Sequence, residues 1–88
     1  MLVVKRRGHR EKFDEKKVYA SCYFACRAIE MSEIASEKIA NKVIKEMKKK
    51  LKGKKEIDSQ EIFEIVGNEL EKIDEDAAFM YKTHKDIS

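Results

Sequence analysis

The sequence has no proline and no tryptophan, and only three glycines among its 88 residues. Without proline, the strongest helix breaker is missing. So few glycines exclude the glycine-rich loops with which phosphate-loop and dinucleotide-binding folds cradle a ligand. The two cysteines, Cys22 and Cys26, are too few for a disulfide framework and lie four apart, where a helix puts them on one face in poor geometry for a disulfide. With His9 and His84 they could supply four zinc ligands, but zinc sites announce themselves by closely spaced pairs, so the cysteines read as small buried hydrophobes. No run approaches the ~20 apolar residues of a membrane span, and Leu2-Val3-Val4 is too short for the apolar stretch of a signal peptide, so the expected location is the cytoplasm. One-sided charge is also missing. The 20 basic and 17 acidic residues leave +3, which alone does not argue for nucleic acid.

What is present is a single stretch of strongly charged amphipathic chain, 42% hydrophobic and 42% charged, read as one domain over residues 1–88. Residues 2–6 and 9–13 read as two strands joined through Arg7-Gly8, with Lys5 and Arg6 on opposite faces of the first. Asp14 caps a helix with apolar positions Val18, Cys22, Ala25, Cys26 and Ile29. Ser32 caps a second, with the stripe Ala35, Ile39, Val43, Met47 and Leu51, ending at Gly53 after a lysine-rich last turn. Residues 54–57 fit a third strand beside the hairpin. Asp58 and Glu61 have capping-box spacing ahead of Ile62, Ile65, Val66, Leu70 and Ile73, and Asp74 opens a fourth helix carrying Ala77, Met80, Tyr81 and His84. The expected class is α+β, mostly α: a four-helix bundle capped by a small three-stranded sheet, with the basic strand above a cleft.

From spacing alone, Lys5 and Arg6 fit either a charged edge strand or a grip on a phosphate chain. The order Val3, Lys5, Arg6, Gly8, Glu11, Phe13, Asp14 and Lys17, continued by I-D-S-x-E-I-x-x-x-V at 57–66 and by Tyr81-Lys82, resembles the ATP-cone, the nucleotide-sensing regulatory domain of ribonucleotide reductases and of the bacterial repressor of reductase genes. The resemblance covers nearly the whole chain, here read as free-standing, and implies a helical bundle with ATP or dATP bound beneath the sheet. Carried over residue by residue, it gives the phosphates to Lys5, Arg6, Lys17 and Lys85, and the adenine and ribose to Glu11, Ser59, Phe63 and Tyr81, with Val3 as an apolar wall. Phe63 and Tyr81 also fit plain core positions at helical spacing. Phe63 stands where reductase domains can carry a histidine, and Lys82 where the usual residue is arginine.

The implied function is that of an allosteric sensor. ATP or dATP acts as effector, Mg2+ could accompany it, and the response is a change in homo-oligomeric association or in grip on a reductase or transcription-related partner. No catalytic set is visible: there is no phosphate loop, no reductase cysteine set and no nucleophile beside a base. Two other readings stand beside it. One is a small DNA- or RNA-binding protein using the seven lysines of Lys45–Lys55, whose binding weakens with salt and ignores ATP. The other is a regulatory fragment of a larger enzyme.

Overall fold

Four short polar side chains decide where the helices begin. In the computed structural model, which describes residues 1–84, the Asp14 carboxylate accepts from the Lys16 amide at 3.0 Å and opens α1, Glu15–Ala28. The Ser32 hydroxyl accepts from the Ala35 amide at 3.1 Å and opens α2, Glu33–Leu51. Asp58 accepts from Gln60 at 2.8 Å to open α3, Ser59–Ile73. Asp74 accepts from Asp76 and Ala77 at 2.9 and 3.1 Å to open α4, Glu75–Thr83. Each cap satisfies amides that the first turn of a helix otherwise leaves without partners. Glu61 does not complete the expected capping box; its carboxylate pairs with Lys54 Nζ at 3.0 Å, a cation outcompeting a backbone amide.

The sheet consists of β1 (Leu2–Val4), β2 (Arg10–Lys12) and β3 (Glu56–Asp58) in the order β2-β1-β3. β1 runs antiparallel to β2 and parallel to β3, and Val3 lies opposite both Glu11 and Ile57, so these three share one face. Val3 and Ile57 are buried there against the helices. On the outer face Arg10 Nε donates to Glu56 Oε1 at 2.8 Å, tying the two edge strands across β1.

The hairpin differs from expectation in one consequential way. β1 ends at Val4, because the chain reverses through Arg6–Gly8 with both Arg7 (φ 75°) and Gly8 (φ 79°) in the left-handed region. Lys5 and Arg6 therefore belong to the turn. Strand alternation does not separate them.

The core forms where the helical stripes meet: Cys22, Ala25 and Cys26 of α1, Val43, Met47 and Leu51 of α2, Ile62, Val66 and Leu70 of α3. The two cysteines are fully buried, as small hydrophobes are. On α4 the buried residues are Ala77 and Ala78, while Met80 and Tyr81 are half-buried and His84 is exposed beyond the helix end, where its Nδ1 lies 2.8 Å from the Met80 carbonyl. α4 packs on both α1 and α3. Against α3 the approach is close, for a Cβ at Gly67 would lie 3.0 Å from Lys82 Cε.

Candidate functional site

The sheet does not seal the end of the bundle. Between β1, β2, the turn and the helices lies an open cleft of about 490 Å³, in the size range of small-molecule sites. β1 contributes Val3 as its apolar wall, the turn contributes Lys5 and Arg6, and β2 contributes Glu11 and Lys12. From α1 come Lys17, Val18 and Ser21, which recur at helical spacing on the side facing the sheet. The first turn of α3 supplies Ser59, Gln60, Ile62 and Phe63, and α4 supplies Tyr81.

Of the nine site residues expected from sequence, the structure brings eight to this one cleft: Val3, Lys5, Arg6, Glu11, Lys17, Ser59, Phe63 and Tyr81. Lys85 lies outside the described residues. Sequence reasoning missed Lys12, Asp14, Ser21 and Gln60 as lining residues. Ser21 carries a usable signal, one helical turn after Lys17, and Gln60 adjoins Ser59. Lys12 carries none, because alternation places it on the outer face, and it lines the cleft from the sheet edge.

Charge and aromaticity are unevenly placed. Lys5, Arg6, Lys12 and Lys17 face the cleft against two carboxylates, Glu11 and Asp14, so its potential is positive. Asp14 is already the cap of α1. Glu11 lies between Lys5 Nζ at 3.9 Å and His9 Nε2 at 3.5 Å. The N-termini of α1 and α3 both open on this space and add the positive ends of their dipoles. Phe63 and Tyr81 stack on one another with ring centroids 5.2 Å apart and planes at 21°. Burial, with the Cys22 thiol adding a little, pushes the Tyr81 phenol above its ordinary range, so it remains a hydroxyl able to donate.

Such a cleft can hold a ligand that carries both a chain of anionic groups and a flat ring. Its described lining holds no histidine and no cysteine, so it offers no nucleophile set beside an imidazole base. Burial pushes the thiol of Cys22 up to about 12 and also raises that of Cys26, and both lie in the core. Among the described residues no group of three or more His, Cys, Asp or Glu side chains is placed to hold a metal ion.

The lysine run at 45–55 is largely spent on internal pairing. Lys48 reaches Glu15 at 2.7 Å, Lys49 reaches Glu46 at 3.3 Å, Lys50 reaches Glu69 at 2.7 Å and Lys54 reaches Glu61 at 3.0 Å. Two of these, to Glu15 and Glu69, tie the end of α2 to α1 and α3. No described helix is long and apolar enough to cross a membrane.

A family model described as the ATP cone domain matches residues 1–85. The chain is 34% identical over 92 residues to the transcriptional repressor NrdR of Carboxydothermus hydrogenoformans, an alignment that takes in 100% of this chain and 58% of that relative. The NrdR repressor of Halalkalibacterium halodurans is likewise 34% identical, over 100% of this chain and 59% of its own length. That of Geotalea uraniireducens is 35% identical over 99% and 59%. The chain thus spans less than two thirds of the length of these curated relatives.

Proposed function

The chain belongs to the ATP-cone domain family, and from that premise we propose that its cleft takes ATP or dATP as an effector and that the domain regulates rather than catalyses. The observation that carries this reading is the convergence on one cleft of four cations, from the turn, β2 and α1, with the stacked Phe63 and Tyr81. Lys5, Arg6 and Lys17 bind the phosphates, joined by Lys12; the planar Arg6 fork grips two oxygens while each lysine acts as a point charge. Phe63 and Tyr81 face the adenine, Glu11 and Ser59 offer polar groups to the base and ribose, and Val3 closes the apolar side. Mg2+ would ride on the phosphates with its own waters, since Asp14 is engaged as a cap and Glu11 faces Lys5.

Nucleotide acts by its different affinity for two states of the domain. Those states differ in association with further copies or in grip on a partner, which the repressor relatives suggest is a transcription-related protein and the family a ribonucleotide reductase. ATP and dATP differ by one hydroxyl, so a direct preference between them is modest unless it leaves a buried polar group unpaired.

Calorimetric titration with ATP, dATP and GTP, run beside light scattering, tests the reading. Saturable binding of the adenine nucleotides is expected, weakened roughly tenfold or more by Lys5→Ala or Arg6→Ala through loss of one charge-assisted bond. Absence of heat with all three nucleotides would remove the reading.

A further inference from the structure

Five lysines that make no ion pair to another element among the described residues follow a geometric order of their own. Lys38, Lys42, Lys45 and Lys49 recur along α2 at alternating steps of four and three, with Lys52 continuing the series at its C-cap, and all five are exposed. Such steps keep side chains on one line of a helix. The line lies diametrically opposite Val43, Met47 and Leu51, which are buried, so it is the outermost ridge of α2. Only Lys49 has an ion-pair partner among the described residues, Glu46 on the same helix at 3.3 Å. The lysines between them turn elsewhere, Lys48 to Glu15 and Lys50 to Glu69.

We propose that this lysine ridge of α2 is a docking surface for the phosphate backbone of duplex nucleic acid. From Lys38 to Lys49 the ridge spans about 17 Å at the rise of an α-helix. One strand of a duplex presents about five phosphates over that length, close to the number of lysines offered. A rigid rod of evenly spaced cations matches an evenly charged rod better than it matches an irregular acidic peptide. Neighbouring positions on the outer side of α2 are polar, at Glu37, Asn41 and Glu46, and the one exposed large apolar residue in line, Ile34, sits at the far N-terminal end. A membrane surface would need an apolar flank to enter the headgroups. No aromatic residue interrupts the ridge, so unpaired bases have nothing to stack on. Contact is with phosphates and independent of base sequence. The overall charge of +3 understates this surface, because apart from Glu37 and Glu46 the acids on the outer side of α2 are few and most of the 17 lie elsewhere on the molecule.

No α2 residue is among the lining of the cleft, so the ridge and the nucleotide reading stand or fall separately. The test is fluorescence anisotropy of a labelled mixed-sequence DNA duplex titrated with the full chain at several salt concentrations. The expected slope of log K against log salt is about −4, for four to five phosphates neutralised. Lys42→Gln with Lys45→Gln should flatten the slope by about 2 and cut affinity about tenfold or more at roughly 0.1 M salt. The control, Lys16→Gln with Lys55→Gln, removes the same charge from exposed positions off the ridge and should leave the slope unchanged. Circular dichroism confirms folding, as glutamine and lysine have similar helix propensity. No duplex binding at low salt, an equal loss in the control, or equal affinity for polyglutamate or phosphatidylserine vesicles would each overturn the proposal.

Discussion

Glu69 is a carboxylate held inside the protein, 7% exposed, and it stays charged because Lys50 and Lys72 reach it at 2.7 and 3.2 Å. The hydrogen bond from Lys50 does most to hold its pKa below the ordinary glutamate value, burial pulls the other way, and Lys72 adds to the lowering. A carboxyl depressed in the folded state stabilises the fold above its unfolded pKa of about 4.3 and loses that contribution as pH falls through the folded value. Glu69→Gln should therefore cost about 1–3 kcal/mol at neutral pH, and the gap to the parent protein should shrink below about pH 4 in denaturant titrations. Ser36 presents the reverse case, a fully buried hydroxyl with no hydrogen-bond partner among the described residues. Ser36→Ala should raise stability by about 1 kcal/mol in the same assay, through relieved desolvation and better helix propensity. The thiols of Cys22 and Cys26, raised by burial, should stay silent to a thiol reagent near neutral pH until the protein is unfolded.

The elements show which features of the fold a sequence displays and which it hides. Caps at Asp14, Ser32, Asp58 and Asp74 and the apolar stripes behind them were legible because each depends on residues within one or two turns. The end of α1 was not, because no glycine marks it. The Met31 amide bonds the Cys26 carbonyl at 3.2 Å and the Glu30 amide bonds that of Arg27 at 2.9 Å, with Glu30 at φ 64°. This is a Schellman closure with a glutamate where glycine is usual. Glu30→Gly should accordingly stabilise the protein by about 1 kcal/mol in thermal or denaturant unfolding, the left-handed penalty removed exceeding the added chain entropy. The turn falls at Arg7-Gly8 as expected, but the end of β1 at Val4 was not legible, since Arg7 takes a left-handed conformation that its side chain does not announce. The close approach of α4 to Gly67 and the burial of Glu69 were hidden too, since both depend on residues of other elements, Lys82 and Lys50.

Across the whole molecule the site was legible in its parts but its assembly was not. Lys5, Arg6 and Lys17 are visible as charges, yet their convergence depends on a turn that takes in both Lys5 and Arg6 and on the parallel pairing of β1 with β3, which sets the sheet over α1 and α3. Because the cleft draws on the turn, β2, α1, α3 and α4, a ligand filling it ties the sheet to the bundle. At about a hundred times its dissociation constant, such a ligand adds about 2.7 kcal/mol of stability, a rise in Tm of about 10 °C or more for a domain of this size. Thermal unfolding with ATP against GTP should show that rise for the adenine nucleotide and a smaller one for the guanine.

The central claim, that the cleft beneath the sheet is where an adenine nucleotide sits, is met most directly by titrating the isotope-labelled chain with ATP and following each backbone amide by NMR. The claim predicts saturable shifts concentrated at Val3, Lys5, Arg6, Glu11, Lys17, Ser59 and Phe63 and at Tyr81, with the outer face of α2 unmoved. Shifts spread over the α2 lysines while the cleft amides stay still, or none at all at millimolar nucleotide, would contradict it.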